Sequence, residues 1–165
     1  MPKIIENLPQ RLLEEARRQC EEQGYSNMNI RSVAKNCGVS VGSVYNCYPN
    51  KDALIAEFIK ADWKECMAPA KDVFETAEAA LRSVYEGLRM FVSRNGRVFR
   101  DEAAMQLFTG SGSQYNSMVR QELAALVRPF CRDDATAKFV SASLTFCVVE
   151  GVAFEELSSV LLRLL

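Results

Sequence analysis

Residues 24–51 read GYSNMNIRSVAKNCGVSVGSVYNCYPNK, and this stretch decides the fold of the N-terminal part of the chain. Val33 and Cys37 recur at the spacing of one helix face, which predicts a short helix. Gly38 can end that helix with a positive φ, and Ser40 can cap the helix that follows. The stretch therefore predicts a helix-turn-helix, a motif that places its second helix in the major groove of DNA.

The sequence around this motif predicts further helices. Apolar residues recur at helical spacing before the motif, over residues 9–23, and within it over residues 30–36 and 41–47. Pro49 cannot continue a helix, so a fourth helix is expected to begin directly after an Asn50 cap. Four helices are therefore expected in the first part of the chain.

The remainder of the chain is expected to form a separate helical unit, because no segment shows the period-two alternation of a β-strand. Asn95-Gly96 is a stop signal after one long helical pattern, and residues 109–113, TGSGS, predict a flexible loop. Helices are predicted over residues 76–94, 97–108, 115–131, 133–149 and 155–165. The predicted fold class is all-α.

Composition limits the class of protein. The chain has 165 residues, of which 48% are apolar, and this suffices for one or two small domains with a core. It has six cysteines, no C-x-x-C pair and no histidine, so neither a metal site nor a cofactor is expected. Cysteines on apolar helix faces indicate a reducing, cytoplasmic location. No targeting segment is visible, and no apolar run of about 18 residues predicts a membrane span.

The distribution of charge bears directly on DNA binding. Residues 1–65 hold nine Lys or Arg and nine Asp or Glu, so this part of the chain is neutral as a whole. No acidic residue occurs between Glu22 and Asp52, whereas Arg31, Lys35 and Lys51 all fall in that gap. This local excess of positive charge around the motif is what binding to phosphates requires.

The same segment resembles the TetR family of bacterial transcriptional regulators, over about residues 12–58. The resemblance rests on Gly24-Tyr25, Arg31-Ser32-Val33-Ala34, Gly38-Val39-Ser40, Gly42-Ser43-Val44-Tyr45, Tyr48 and Asn50-Lys51-Asp52-Ala53-Leu54. It implies an N-terminal three-helix helix-turn-helix DNA-binding domain in residues 1–50 and a C-terminal helical ligand-binding and dimerisation domain in residues 51–165. It also implies a homodimeric repressor that binds a palindromic operator through Val41–Cys47 and is released by a small-molecule effector.

Nine residues are candidates for contact with double-stranded DNA. Asn46 is the candidate for reading an adenine, and Tyr45 can contact a phosphate with its hydroxyl and a sugar with its ring. Ser40 at the helix start and Lys51 can each lie beside a phosphate, and Arg31 can reach a guanine or a phosphate. The full set is Arg31, Ser40, Val41, Gly42, Ser43, Tyr45, Asn46, Cys47 and Lys51.

Two positions depart from the pattern of the resembled family. Cys47 stands where histidine is common, so one polar contact to DNA is expected to be missing. A redox role for this thiol is an open alternative to a passive one. Met28 and Asn29 stand where threonines are common, which leaves Asn29 alone to cap the second helix.

Large and polarizable side chains in the second part of the chain are candidates for an effector pocket. Methionine and aromatic residues suit adaptable apolar pockets, although at helical spacing they also fit an ordinary core. Glu150 lies in a very apolar helix and is either a charge at the rim of a dimer interface or a pocket carboxylate that favours cationic ligands. The candidates, all expected to face inward, are Trp63, Met67, Phe91, Met105, Phe108, Tyr115, Met118, Phe146 and Glu150.

The C-terminal segments carry wide apolar faces, which exceed what one small domain needs to cover itself. Such faces mark association surfaces, and they predict a dimer interface here. The residues concerned are Phe139, Leu144, Phe146, Val160, Leu161 and Leu164.

Two other classes of function are alternatives to DNA binding. A protein-interaction module that keeps the helix-turn-helix only as a scaffold is the alternative, because residues 1–65 are neutral and Cys47 replaces a polar contact. An enzyme is not expected, and no catalytic residue is assigned. The chain has no histidine, no phosphate-binding glycine loop and no paired-carboxylate motif.

Overall fold

The structure, a computed structural model, describes residues 7–109 and 114–165. Over these residues the chain forms helices and no β-strand, which confirms the all-α prediction. Short 3-10 turns at Pro69–Lys71 and Arg128–Phe130 follow the fourth and seventh helices. The α-helices are α1 (Leu8–Gln23), α2 (Ile30–Cys37), α3 (Val41–Cys47), α4 (Lys51–Cys66), α5 (Ala77–Phe99), α6 (Glu102–Thr109), α7 (Gln114–Val127), α8 (Asp134–Glu150) and α9 (Phe154–Leu161).

Helices α2, α3 and α4 begin at the residues that the sequence predicts, because each predicted cap forms. The side chain of Asn29 accepts a hydrogen bond from the backbone N–H three residues along at 2.8 Å. Ser40 and Asn50 do the same at 3.1 and 2.7 Å. Each cap satisfies a backbone donor that the first turn of a helix leaves without a partner.

The described residues form two compact units that do not divide at residue 50. Unit 1 contains the described part of Met1–Asp62 together with Asn95–Leu107. Unit 2 contains Trp63–Arg94 and the described part of Phe108–Leu165. Most of α4 falls in unit 1 because its apolar side chains are part of that core: Leu54, Ile55, Phe58 and Ile59 are all buried.

The predicted helix break at Asn95-Gly96 is wrong. Helix α5 continues through both residues to Phe99, and the chain turns only before α6. Asn95 is 3% exposed and Val98 is 4% exposed, so this last turn of α5 has a buried face. Burial of that face outweighs the weak local preference of the Asn-Gly pair for a turn, as packing commonly does.

The C-terminal helices differ from their predicted bounds mainly at their ends. Helix α7 stops at Val127 and the chain continues as a 3-10 turn that contains Pro129, because proline cannot extend an α-helix. Gly151 ends α8 with a left-handed φ of 72°, as its position in the sequence indicates. The predicted flexible loop at residues 109–113 begins at Thr109, which is the last residue of α6, and residues 110–113 lie outside the described residues. Over the part of the chain that is described, we find no helix with the length and apolar character needed to cross a bilayer.

Candidate nucleic-acid interface

The turn between α2 and α3 has the geometry that the sequence predicts. Gly38 has a left-handed φ of 69°, and its N–H is directed at the carbonyl groups of Ala34 and Lys35. The N–H of Val39 donates to the carbonyl oxygen of Ala34 at 3.0 Å. A left-handed residue at this point closes the end of α2 and reverses the chain within two residues. The result is a helix-turn-helix, formed by α2 and α3.

Helix α3 has one face in the core and the other in solvent. Val44 is fully buried, whereas Tyr45 is 50% exposed and Asn46 is also exposed. Gly42 is exposed, and Val41, Ser43 and Cys47 are partly exposed. The exposure of Tyr45 and Asn46 agrees with their predicted position opposite Val44, and the contact of these residues with DNA remains a prediction.

Arg31, Tyr45 and Lys51 come together beside the exposed face of α3. They line one open surface cleft, although they belong to three different helices. Two permanent cations and a phenol in one cleft form a surface that suits phosphate oxygens and sugar rings. The structure thus brings together three of the nine residues that the sequence predicted for DNA contact.

The side chain of Lys51 is held in place by the segment between α1 and α2. Its ammonium lies 4.3 Å from the centre of the Tyr25 ring and 3.5 Å from the carbonyl oxygen of Ser26. The Tyr25 hydroxyl donates to Asp52 at 2.6 Å. Burial, and then this carboxylate, raise the pKa of Tyr25 above its ordinary range, so the phenol remains a neutral donor. The contacts with Tyr25 and Ser26 therefore restrict the position of the Lys51 ammonium.

Ser40 is already engaged by its own helix. Its Oγ accepts from the N–H of Ser43 and lies 2.9 Å from the Ser43 Oγ. The Ser40 hydroxyl therefore stabilises the start of α3 even when no ligand is bound. The N–H groups of Val41 and Gly42 belong to the first turn, where a helix leaves donors without an intrahelical acceptor. These donors are what the start of α3 offers to an anion.

A network centred on Glu15 joins α1 to α2. The carboxylate accepts hydrogen bonds from Arg18, Gln19 and Asn36, at distances between 2.7 and 2.9 Å. Asn36 belongs to α2, so this bond fixes that helix against α1. The bond from Arg18 is the largest cause of a shift that lowers the pKa of Glu15 to about 2. This network was not among the contacts predicted from the sequence. The i,i+3 and i,i+4 spacing of Arg18 and Gln19 was a usable signal, but nothing local pointed to Asn36.

A second pair of hydrogen bonds also joins α1 to α2. The Arg11 guanidinium donates to the carbonyl oxygen of Cys37 at 3.2 Å, and the Cys37 thiol donates back to the carbonyl oxygen of Arg11 at 3.6 Å. Burial raises the pKa of Cys37, which keeps the thiol protonated. The end of α2 is therefore tied to α1 just before the turn that leads into α3.

The predicted effector residues of unit 2 include a buried group and an exposed group, and Met105 belongs to unit 1. Trp63, Met67 and Phe91 are buried, and the rings of Trp63 and Phe91 pack edge to face with centroids 5.1 Å apart. The Trp63 Nε1 donates to Glu122 at 2.7 Å, and the Lys71 ammonium lies 2.7 Å from the other carboxylate oxygen. Burial opposes ionisation of Glu122, but the bonds from Lys71 and Trp63 outweigh it and lower the pKa.

The expectation that every effector candidate faces inward is wrong for three of them. Met118 is 37% exposed, Phe146 is 63% exposed, and Glu150 is exposed at the end of α8. The inward positions of α8 are occupied instead by Ala137, Val140, Leu144 and Val148. Tyr115 is half-buried. The side chains of Met105 and Phe108 lie outside what the structure describes.

Exposed positions of α8 and α9 carry several of the apolar side chains that unit 2 presents to solvent. Phe139, Phe146, Val149 and Val160 are between 58% and 63% exposed. Leu144 and Leu161, which were predicted for the same surface, are buried in the core. Phe139 and Phe146 are seven residues apart, so they lie on one face of α8. Apolar side chains at helical spacing on a surface are typical of an association face.

Comparison with known proteins identifies the class of this helix-turn-helix. Residues 12–58 match the family described as bacterial regulatory proteins, tetR family. A segment of 65 residues is 29% identical to the HTH-type transcriptional regulator UidR of Escherichia coli strain K12, and equally to that of Shigella flexneri. This segment of the chain is therefore similar to regulatory proteins of the TetR family.

The sequence relatives match a smaller share of the chain than the solved structures do. The match to UidR covers 39% of this chain and 33% of UidR, so the chain spans a third of the length of these curated relatives. A putative TetR-family transcriptional regulator from Rhodococcus sp. superimposes with a TM-score of 0.62, at 16% identity over 94% of each chain. A transcriptional regulator from Rhodococcus sp. Rha1 gives 0.60 at 21% identity, over 88% of this chain and 83% of its own. At these identities the structural likeness shows the shared fold alone.

Proposed function

We propose that this protein is a transcriptional regulator that reads double-stranded DNA through the exposed face of α3. The observation that carries the proposal is the orientation of this helix. Val44 is buried, Tyr45 and Asn46 face solvent, and Tyr45 shares one cleft with Arg31 and Lys51. A helix of this orientation in a helix-turn-helix can enter the major groove with its polar residues toward the bases.

The proposed division of labour follows from the chemistry of each side chain. Asn46 reads a base edge, because an amide can donate to and accept from adenine at once. Tyr45, Arg31 and Lys51 contact the backbone, with Arg31 also able to reach a guanine. The small residues Val41, Gly42 and Ser43, together with Cys47, allow a close approach of α3 to the groove, and Ser40 sets its N-terminus beside a phosphate.

We further propose a homodimer that binds a palindromic operator. The exposed side chains of Phe139, Phe146, Val149 and Val160 support this proposal, because a second copy would remove them from water. A two-fold dimer presents two α3 helices to half-sites separated by ~34 Å, one turn of DNA. A repressor of this kind acts on the chromosome, which is in keeping with the predicted cytoplasmic location.

Release by a small-molecule effector completes the proposal. The buried group Trp63, Met67 and Phe91 in unit 2 supports it, since aromatic and thioether side chains adapt to apolar ligands. Tyr115, Met105 and Phe108 remain predicted contacts of the effector. Met118, Phe146 and Glu150 are exposed and are not assigned to the effector.

Selection of DNA from a random-sequence library tests the central proposal. The purified protein should enrich a duplex with two inverted half-sites, and it should bind that duplex more tightly than a scrambled one at physiological salt. Enrichment of no sequence, or equal affinity for enriched and scrambled duplexes, would refute the proposal. Capture of a protein partner that occupies α3 would favour the scaffold alternative instead.

A further inference from the structure

The turn between α5 and α6 is joined to the segment that holds Lys51. Residues 95–107 belong to unit 1, although they are distant in sequence from its N-terminal helices. Two polar side chains of this stretch, Arg97 and Asp101, make contacts with the end of α1 and with the segment that follows it.

Asp101 uses its two carboxylate oxygens for two different tasks. One oxygen accepts from the N–H groups of Ala103 and Ala104, at 3.1 and 3.3 Å, and so caps the start of α6. The other oxygen accepts from the backbone N–H of Ser26 at 3.1 Å and from the Ser26 hydroxyl at 2.6 Å. A single carboxylate therefore fixes both the start of α6 and the backbone at Ser26.

Arg97 fixes the adjoining part of the chain. Its guanidinium donates to the carbonyl oxygens of Glu21 and Glu22, the latter at 3.0 Å, in the last turn of α1. Carbonyl groups in the last turn of a helix have no intrahelical donor, so a cation here both satisfies them and complements the helix dipole. The segment between α1 and α2 is thus held at its start by Arg97 and at Ser26 by Asp101.

The same segment supplies both groups that hold the ammonium of Lys51. The carbonyl oxygen of Ser26 accepts from Lys51 at 3.5 Å, and the ring of Tyr25 lies 4.3 Å from it. Asp101 contacts Ser26 through the N–H and the hydroxyl, and Lys51 contacts the carbonyl of the same residue. Displacement of Ser26 would therefore break the hydrogen bond from Lys51 to its carbonyl oxygen and would shift the neighbouring Tyr25 ring.

We infer that Asp101 is a positioning residue for DNA binding, which acts through Ser26 to hold Lys51 toward the phosphate backbone. This inference rests on the proposed function, because it assumes that Lys51 contacts DNA. A preset lysine loses less conformational freedom on binding than a free one, and the loss for a long side chain corresponds to about two- to tenfold in affinity. Removal of the Asp101 carboxylate is therefore expected to lower DNA affinity by about two- to tenfold for each bound protomer.

The test is a double-mutant cycle on DNA affinity with the duplex that the wild-type protein selects from a random library. Asp101→Ala and Lys51→Ala should each weaken binding. In the Lys51→Ala protein, Asp101→Ala should have no further effect, because the residue that it positions is absent. If Asp101 had only a structural role, the effects of Asp101→Ala and Lys51→Ala on the free energy of DNA binding would add.

Two further variants separate positioning from loss of the helix cap. Asp101→Asn retains an acceptor and should keep part of the affinity, whereas Ser26→Ala, which removes one of the two donors, should lose part of it. Asp133→Ala is the matched control: Asp133 caps α8 in unit 2, accepting from the N–H of Thr136 at 2.7 Å. It should reduce the free energy of unfolding as Asp101→Ala does but leave DNA affinity unchanged.

The outcomes distinguish this inference from the proposed function. If the wild-type protein selects a duplex but Asp101→Ala binds it normally, or if its effect persists in the Lys51→Ala protein, the positioning role is refuted and DNA binding stands. If the wild-type protein selects no duplex, both fail together. Circular dichroism of each variant confirms that the comparison is made between folded proteins.

Discussion

Gly87 lies so close to the carbonyl oxygen of Cys66 that no side chain fits between them. A Cβ at position 87 would lie 2.8 Å from that oxygen and 2.8 Å from the sulfur of Met67. Gly87 is in the middle of α5 and Cys66 is the last residue of α4, so the two helices meet in unit 2 by direct backbone contact. Only glycine permits such an approach without displacement of the neighbouring backbone.

Gly87→Ala should therefore destabilise the protein despite the better helix propensity of alanine. We expect the free energy of unfolding to fall by about 1–3 kcal/mol, the usual cost of overpacking. Gly96→Ala in the same helix is the control, because the nearest atom to its Cβ would be 3.9 Å away. That variant should gain about 0.5–1 kcal/mol. Urea denaturation measures both, and a stabilised Gly87→Ala protein would contradict the packing described.

The low pKa of Glu15 makes part of the stability of α1 and α2 dependent on pH. In the unfolded chain this carboxylate titrates near 4.5, whereas in the fold the pKa is lowered to about 2. The stabilisation is complete above pH 4.5 and is lost as the pH falls toward 2, because the unfolded chain takes up the proton first.

Glu15→Gln should accordingly flatten the dependence of the unfolding free energy on pH in this window. At neutral pH the same variant should be less stable by on the order of 1–2 kcal/mol, after allowance for solvent screening. Glu14→Gln makes the same change of charge on the exposed neighbour and serves as the control. Equal pH profiles for the two variants would rule out the network around Glu15 as the cause.

Substitutions on the exposed face of α3 should separate specificity from affinity. Asn46→Ala should change the preferred base at one position of each half-site, with a loss of discrimination of about 1–3 kcal/mol. Tyr45→Ala should weaken binding to all duplexes alike, because it contacts the backbone. Competition between the selected duplex and point-mutated duplexes measures the difference. Uniform effects of both variants across sequences would contradict the roles assigned.

The number of cations near α3 predicts a moderate dependence of DNA binding on salt. Arg31, Lys35 and Lys51 give roughly six phosphate contacts in a dimer, so log K should fall against log salt with a slope of about −5. Lys51→Ala should reduce that slope by about 2 in a dimer. Fluorescence anisotropy across a range of potassium chloride concentrations measures it. A slope that is unchanged in the Lys51→Ala protein would show that this residue contacts no phosphate.

A charge on the apolar face of α8 should prevent dimer formation. Phe146 is 63% exposed, so Phe146→Glu leaves the fold intact but places a carboxylate where a second copy would bury it. We expect a monomer by sedimentation velocity and a loss of tight DNA binding. Val73→Glu, at a residue that is 99% exposed and lies outside the α-helices, is the matched control and should leave the dimer intact. A dimeric Phe146→Glu protein would place the interface elsewhere.

The parts of the fold that could be predicted are those with local causes. The caps at Asn29, Ser40 and Asn50 follow from short-range hydrogen bonds, and the left-handed turn at Gly38 follows from the freedom of glycine. The continuation of α5 through Asn95 could not be predicted in the same way. It depends on burial against residues distant in sequence, which local preference does not encode.

The same distinction between local causes and long-range contacts applies to the candidate interface. The outward position of Tyr45 and Asn46 follows from helical spacing once Val44 is assigned to the core. The contacts of Glu15 with Asn36 and of Asp101 with Ser26 join residues 21 and 75 positions apart. Charge and hydrogen-bonding capacity alone do not select such partners from the many that the sequence offers. The sequence placed Phe146 both in an effector pocket and on an association face, because an apolar residue on an association face has the same pattern as one in a core.

Because α5 supplies residues to both units, neither unit is a single continuous piece of the polypeptide. The chain passes between them after Asp62, Arg94 and Leu107. A fragment that ends at residue 62 would lack Val98 and Ala104, both buried in unit 1, as well as the contacts of Arg97 with the end of α1. Excision at the end of the DNA-binding motif should thus yield an unstable peptide, and heat should unfold the intact protein in one cooperative transition.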